Sequence, residues 1–382
     1  MSGPDVSRPL ETGSHPMTRR QFGIRSMFAL AALPAASALL SACGDEPAGG
    51  AGGGGGGGGG GAVTWASFGG AYNEALQSGF VDPFTKQTGI KVKLASNTSL
   101  ATLKQQVASN AVQWDIAELT GSEYEIAVAQ GIPLEALDLD IIDTANVPDY
   151  AVKEFGVKYA FFTQVMAWDN KAVTEPPADW SEFLDPKRFS VKRSMYETLS
   201  DSSLLEFALL ADGVGMADLY PLDVDRALAS LERLGAEDIL WYESNQEVIQ
   251  QLQSGESGLG MPFTGRVRLA NESGADLGYT TNQAGVTGDY LVVPKGAPNA
   301  EKAMELINFI CNDAEAAAEF MRSTYYGVSN LKAIDLLPAD IAAEIPTSPA
   351  LQGKVFMKDD AWWAENLDQV TQQFMAWQVS HQ

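Results

Sequence analysis

The sequence predicts an α/β protein built on mostly parallel sheets. From Ala62 onward, short apolar runs alternate with segments of helical period, the pattern of strands joined by crossover helices. The chain has 382 residues, enough for two ordinary domains. Hydrophobic residues make up 45% of it, enough to fill real cores.

Ahead of that body the chain reads as an export segment. Thr18-Arg19-Arg20-Gln21-Phe22 resembles a twin-arginine export motif. An apolar stretch follows, roughly Met27 to Leu40. Interrupted by Pro34, it is too short to span a bilayer comfortably and reads as a signal-peptide core. It ends in Leu40-Ser41-Ala42-Cys43, which resembles the bacterial lipobox, where a cysteine after small residues is lipidated and becomes the mature N-terminus. Two acyl chains on Cys43 would supply what stable anchoring needs. Gly44 to Gly61 is nearly all Gly, Ala and acidic residues and cannot bury a core. As a random coil it spans about 23 Å. The expected organisation is a signal peptide over 1–42, a lipidated cysteine and linker over 43–61, and a globular body from 62.

In the body, Val63-Thr64-Trp65 reads as a strand entering the turn Phe68-Gly69-Gly70. A helix follows from Tyr72 towards Gln87, stopped by Gly89. Ile90 to Leu94 alternates as a strand does. Leu100, Leu103 and Val107 mark one helix face; Ile116 to Leu119 is the next strand and Glu123 to Gln130 the next helix. Further on, Val224, Leu228, Leu231 and Leu234 line a helix. Ser244-Asn245-Gln246-Glu247 reads as a capping box ahead of Val248, Ile249 and Leu252. Leu259 to Pro262 and Tyr290 to Val293 read as strands. One helix follows Pro298-Asn299, with Cys311 as a small buried residue at its end, and a last one runs from Ala361 to Ser380. There is no internal repeat and no Walker or dinucleotide fingerprint.

Composition excludes several function classes. The formal charge is −24, and residues 1–42 carry net +2, which leaves −26 on the remainder. A surface so acidic repels phosphate backbones, so no nucleic-acid partner is expected. It serves solubility and is compatible with a cationic ligand. The two histidines are His15, ahead of the export signal, and His381, the penultimate residue. A His-based triad, a His metal site or a His general base has nothing to work with. Two cysteines exclude a disulfide framework and a multi-Cys zinc site. The expectation is a binding protein with no enzymatic activity and no cofactor or metal.

Several segments resemble one family in order and spacing. Phe68-Gly69-Gly70-Ala71-Tyr72-Asn73-Glu74-Ala75 is similar to the opening motif of polyamine-type (spermidine/putrescine-like) ABC transporter substrate-binding proteins. Pro83 to Val92, Trp114-Asp115-Ile116, Asp289 to Asn299 and Tyr326-Gly327-Val328-Ser329-Asn330 resemble their later signatures. The resemblance implies a type II periplasmic-binding-protein fold: two lobes, a hinge and a central ligand cleft. It implies one lobe over 62–164 plus 290–335 and the other over 165–289 plus 336–382. The chain would cross near Phe162 to Trp168 and return near Thr287 to Tyr290. It further implies a monomer on the outer face of the cytoplasmic membrane, anchored through Cys43, handing a small amine to an ABC permease.

In this family carboxylates hold an amine that is stacked between aromatic rings; a desolvated ammonium needs a counter-charge, and ring faces attract cations. The resemblance assigns Asp289 as the carboxylate of the return strand and Tyr326 as the late aromatic. Of Phe68 and Tyr72, one is expected at the cleft and the other in the core. Phe263 stands where the family often has tryptophan. Thr120 and Ser122 supply polar loop contacts or cap a helix. Glu197 and Asp201 lie near the place of the family's second-lobe acid pair without falling on it. Arg266 is a further departure. It either faces the cleft, where it would clamp a carboxylate and favour a zwitterion such as 4-aminobutyrate, or is a solvated or structurally paired arginine. Rival readings are an exported hydrolase, which lacks a usable base, a ferric-ion binder using the adjacent Tyr325 and Tyr326, and an adhesive surface protein.

Overall fold

A computed structural model describes residues 61–200 and 202–381. The export segment, Cys43, the glycine tract up to residue 60 and Asp201 lie outside the described residues. Among the described residues, eleven strands form one sheet: β1 (Val63–Ala66), β2 (Val92–Ala95), β3 (Ile116–Thr120), β4 (Val152–Lys153), β5 (Gly156–Asp169), β6 (Arg193–Tyr196), β7 (Ile239–Tyr242), β8 (Leu259–Gly260), β9 (Leu277–Val292), β10 (Gly327–Val328) and β11 (Val355–Met357). Their order is β2-β1-β3-β9-β5-β8-β6-β7, with β10 and β4 on β5 and β11 on β9. The expected parallel pairing holds towards the two ends, in β1 with β2 and β3 and in β6 with β7 and β8. The centre departs from it. Two long strands, β5 and β9, run antiparallel along each other's length. One carries the chain out of the first half of the sheet and the other carries it back, so they must run oppositely. Their register slips between Lys158 and Ala160 and again between Gln164 and Met166. Such bulges bend and twist a strand, which lets one strand serve both halves.

The helices are α1 (Gly70–Leu76), α2 (Asp82–Thr88), α3 (Leu100–Ala108), α4 (Gly121–Ala129), α5 (Trp180–Phe183), α6 (Leu204–Ala211), α7 (Val224–Leu231), α8 (Asn245–Ser254), α9 (Thr264–Glu272), α10 (Ala300–Asn312), α11 (Ala314–Thr324), α12 (Ala339–Ala342) and α13 (Asp360–Ser380). The single helix expected after Tyr72 is α1 and α2 joined by a π-helical turn over Gln77–Val81. Pro83 has no N–H, and its ring would collide with the Gly79 carbonyl in a regular helix; the wider turn relieves both. Gly89 ends the run in the left-handed conformation, φ 77°. At α8 the Ser244 side chain accepts from the Glu247 N–H, but the Glu247 carboxylate reaches the Glu243 N–H, so the expected box closes one residue early. No described helix is long and apolar enough to cross a membrane.

The cores follow the halves of the sheet. One gathers Trp180, Phe207, Tyr242, Leu252, Met261, Trp363, Phe374 and Trp377. A second gathers Trp65, Tyr72, Phe80, Tyr159, Phe161, Phe320 and Tyr326, together with Ile341 and Ile345. A third, small one holds Leu103, Trp114, Leu119, Tyr124 and Tyr290. In the first, the Trp180 ring stacks on Phe207 at 3.7 Å, and its indole N–H donates to the Gln283 carbonyl at 3.0 Å. Trp180→Ala is expected to cost about 3–5 kcal/mol in urea unfolding, as truncation of a buried aromatic does. A loss below about 1 kcal/mol would mean that this core re-closes around the gap.

Candidate ligand-binding site

A cavity of about 330 Å³ opens where the two halves of the sheet meet. The first contribution comes from the turn after β1. Gly69 has φ 94°, which favours glycine, and its N–H donates to Asn73 Oδ1 at 3.0 Å. This turn puts Phe68 into the cavity wall and starts α1, whose first turns add Tyr72. Phe162 from β5, Phe263 from the loop before α9 and Tyr326 after α11 add three more rings to the wall. Phe162 lies 4.6 Å from Tyr326, 6.1 Å from Phe263 and 6.3 Å from Tyr72 between centroids. Rings so arranged present faces and edges to a cation or an alkyl chain.

Two opposite charges line the same space. Asp289 sits on β9, opposite Thr120 of β3 and Ala160 of β5, and is buried. Arg266 sits in the first turn of α9. Tyr326 feels both: burial raises its pKa most, the Arg266 guanidinium beside it lowers it, and the Asp289 carboxylate raises it. The guanidinium Nε is buried and has no hydrogen-bond partner among the described residues. Gly265 makes this placement possible, because a Cβ there would run into the Thr324 carbonyl and the Tyr326 ring. Asn245, at the first position of α8, also lines the cavity, and its buried Oδ1 is without a partner among the described residues. Thr120 caps α4, accepting from the Glu123 N–H, and lines the cavity as well. Tyr196 and Thr287 fill the remaining wall.

Behind this wall the Tyr72 hydroxyl donates to Glu118 Oε1 at 2.7 Å, and the Tyr159 hydroxyl donates to the same oxygen at 2.6 Å. Burial pushes the Glu118 carboxyl up to about 7, against the hydrogen bonds that favour its charged form.

Seven residues singled out in the sequence line the cavity: Phe68, Tyr72, Thr120, Phe263, Arg266, Asp289 and Tyr326. Phe68 and Tyr72 both do so, where one was expected in the core. Tyr72 is buried and still presents ring surface to the space, which a large side chain can do. Thr120 is cap and wall at once. Two expectations are corrected. Glu197 is exposed and lines a separate depression beside α13 with Leu367, Thr371 and Gln378. β6 ends at Tyr196, which takes the cavity side, and strand alternation turns the next residue away. Ser122 is buried within α4 and outside the cavity wall, because 100° per residue carries it off the face that Thr120 opens. Asp201 lies outside the described residues. The adjacent tyrosines diverge: Tyr326 lines the cavity while the Tyr325 hydroxyl bonds Glu272. The sequence reading missed Phe162, Tyr196, Asn245 and Thr287. Phe162 and Thr287 lie at the ends of the crossing segments it did identify.

Comparison with known proteins gives a consistent result. Residues 79–353 match the bacterial extracellular solute-binding protein family. A gamma-aminobutyric acid-binding protein of Pseudomonas aeruginosa is 29% identical over 323 residues, covering 83% of this chain and 90% of its own. The spermidine/putrescine-binding periplasmic protein of Escherichia coli is 25% identical over 286 residues, covering 71% and 79%. Among solved structures, a GABA receptor aligns with a TM-score of 0.77 at 29% identity, covering 84% of this chain and 99% of its own. The binding protein AgtB of Agrobacterium tumefaciens, in complex with agropinic acid, aligns with a TM-score of 0.73 at 32% identity, covering 83% and 98%.

Proposed function

The chain belongs to the bacterial extracellular solute-binding protein family, and from that premise we propose that this ABC importer component captures a small zwitterion bearing an amine and a carboxylate, of the 4-aminobutyrate type. One observation carries the reading: Arg266 and Asp289 line the same cavity. Asp289 and the rings take the ammonium end, and the Arg266 guanidinium takes the carboxylate end bidentately. The start of α8, with Asn245 facing the cavity, adds favourable potential for an anion. The names of the gamma-aminobutyric acid-binding relatives point the same way.

A purely cationic amine such as putrescine is the second reading. It is favoured by the net charge of −24 and by the names of the polyamine-binding relatives. Arg266 separates the two, since a guanidinium repels a second ammonium. Calorimetric titration of the body from Ala62 with 4-aminobutyrate, putrescine and spermidine is expected to show binding of 4-aminobutyrate. Arg266→Gln is expected to weaken it by about 2–5 kcal/mol, the cost of truncating one partner of a buried charge pair. Tight binding of putrescine by the unaltered protein, insensitive to that substitution, would move the assignment to the polyamines.

The two halves act as lobes, with β5 and β9 as the hinge, and their closure over the ligand makes the surface that a permease reads. Ile341 and Ile345 pack in the second core with Trp65 and Tyr159, so residues 336–345 go with the lobe of 62–164 and not with the lobe of 165–289 as expected. Cys43 is the lipid attachment point, with the glycine tract as tether. Mass spectrometry of the mature N-terminus tests this, and an unmodified terminus elsewhere would remove the anchor.

A further inference from the structure

Helix α9 lies between the two halves of the protein. Val267 is buried in the first core, and Leu269 packs against the second. The first turn of α9 brings Arg266 to the cavity. The Nε of that guanidinium has no hydrogen-bond partner among the described residues, so its place depends on how α9 itself is seated. Two contacts seat it. At its start, Gly265 rests on the Thr324 carbonyl and the Tyr326 ring, with no room for a Cβ. Further along, Arg268 lies over the Tyr325 ring, its guanidinium carbon 4.6 Å from the centroid. The Tyr325 hydroxyl donates to the Glu272 carboxylate, one turn on from Arg268.

Tyr325 makes this contact from an unusual backbone. It ends α11 with φ 58°, in the left-handed region that suits glycine and asparagine and is an outlier for a bulky side chain. A residue stays there when its surroundings fix it, and such residues gather at ligand clamps. The corner sends Tyr325 onto α9 and Tyr326 to the cavity wall. Arg268 is itself anchored. It donates to Asp340 at 3.2 Å and lies 3.7 Å from Glu344, which accepts from the Tyr279 hydroxyl. The Asp340 side chain is 71% exposed, so that ion pair contributes little; the partly buried Glu344 and the Tyr325 ring are the effective partners.

We propose that Arg268 and Tyr325 are a pair of positioning residues, whose stacking clasps α9 to the corner after α11 and so fixes where the Arg266 guanidinium meets the ligand. The inference rests on the reading that Arg266 takes the ligand's carboxylate. A bidentate pair tolerates little displacement, because both N–H groups must line up with both oxygens. A site of this kind depends on the shell that holds it. Neither Arg268 nor Tyr325 lines the cavity, so neither touches the ligand there.

The test is a double-mutant cycle on Kd for 4-aminobutyrate, measured by calorimetry, with melting curves to show that each variant folds. Arg268→Ala is expected to weaken binding at least about threefold, within the range of coupled contacts. Tyr325→Asn removes the ring but tolerates the left-handed corner, so it tests the clasp and not the backbone. The same loss is expected, and the two substitutions together should lose no more than either alone. In the Arg266→Gln background, with weak binding followed by NMR titration, Arg268→Ala should change Kd less than about twofold, because the group it positions is gone.

A merely structural role gives a different result. Loosened packing or altered lobe closure would weaken binding equally with Arg266 present or replaced. That equal loss would overturn the proposal, and so would full affinity in a folded Arg268→Ala protein. Unaltered protein that does not bind 4-aminobutyrate sinks the reading of Arg266 as the carboxylate's partner, and the positioning role with it; a failure confined to the variants leaves that reading standing.

Discussion

Replacing Asp289 by Ala is expected to weaken binding of 4-aminobutyrate by about 2–5 kcal/mol, roughly 30- to several-thousand-fold in Kd. The carboxylate is buried on β9, paired across the sheet with Thr120 and Ala160, and lines the cavity among aromatic rings. An ammonium brought into such a place loses its water, and the rings alone repay only part of that. Without Asp289 the bound amine is an uncompensated charge. Asp289→Asn separates charge from shape: it keeps the volume and a hydrogen-bonding oxygen, so most of the loss should persist. The measurement is calorimetric titration of both variants, with melting curves to show that they remain folded. Undiminished affinity in a folded Asp289→Ala protein would take this residue out of the site and leave the rings to explain binding.

A second large effect concerns how the two halves are held. Lys158, on β5, forms a buried ion pair with Asp360, the first residue of α13. The lysine also lies over the Tyr290 ring, 5.1 Å from its centroid. α13 packs its Trp363, Phe374 and Trp377 in the core around Trp180. Its first turn reaches the opposite half, where Gly121 opens α4. Asp360 lies so close to Gly121 that a Cβ there would run into the carboxylate. Asp360→Ala leaves Lys158 buried and unpaired, and is expected to cost about 3–5 kcal/mol of stability in urea unfolding. Replacing both partners by apolar residues, Lys158→Met with Asp360→Leu, should recover most of that, because the penalty belongs to the orphaned charge. Gly121→Ala should destabilise by forcing the carboxylate aside. A single Asp360→Ala that unfolds like the unaltered protein would show that water reaches Lys158 and that the pair is not a tie between the halves.

Local chemistry made much of the chain legible. The helix capped by Ser244, and the left-handed stop at Gly89, were readable because a hydroxyl or a missing Cβ acts within one turn. Apolar spacing located α3, α7, α10 and α13 for the same reason. The long strands β5 and β9 were seen only in fragments; β5 and the C-terminal half of β9 are buried on both faces, and such a strand shows no alternation. Of the residues that line the cavity, the sequence reading named Phe68, Tyr72, Asp289 and Tyr326 from the resembling motifs. It missed Tyr196 and Asn245, whose importance lies in what their elements face. Glu197 was drawn in because it carries the right charge one residue from the right place.

The sequence by itself determined the α/β class and the inventory of aromatic and acidic groups from which the candidate site is made. Those follow from side-chain chemistry and short-range geometry, which the order of residues specifies directly. Only the tertiary structure decided that Arg266 and Asp289 line one cavity and that Glu118 lies behind Tyr72. Asp289 comes from the return strand, Arg266 from a helix start after β8, and Glu118 from β3. Their meeting depends on how two antiparallel strands join the halves of the sheet, a long-range register that no local pattern encodes.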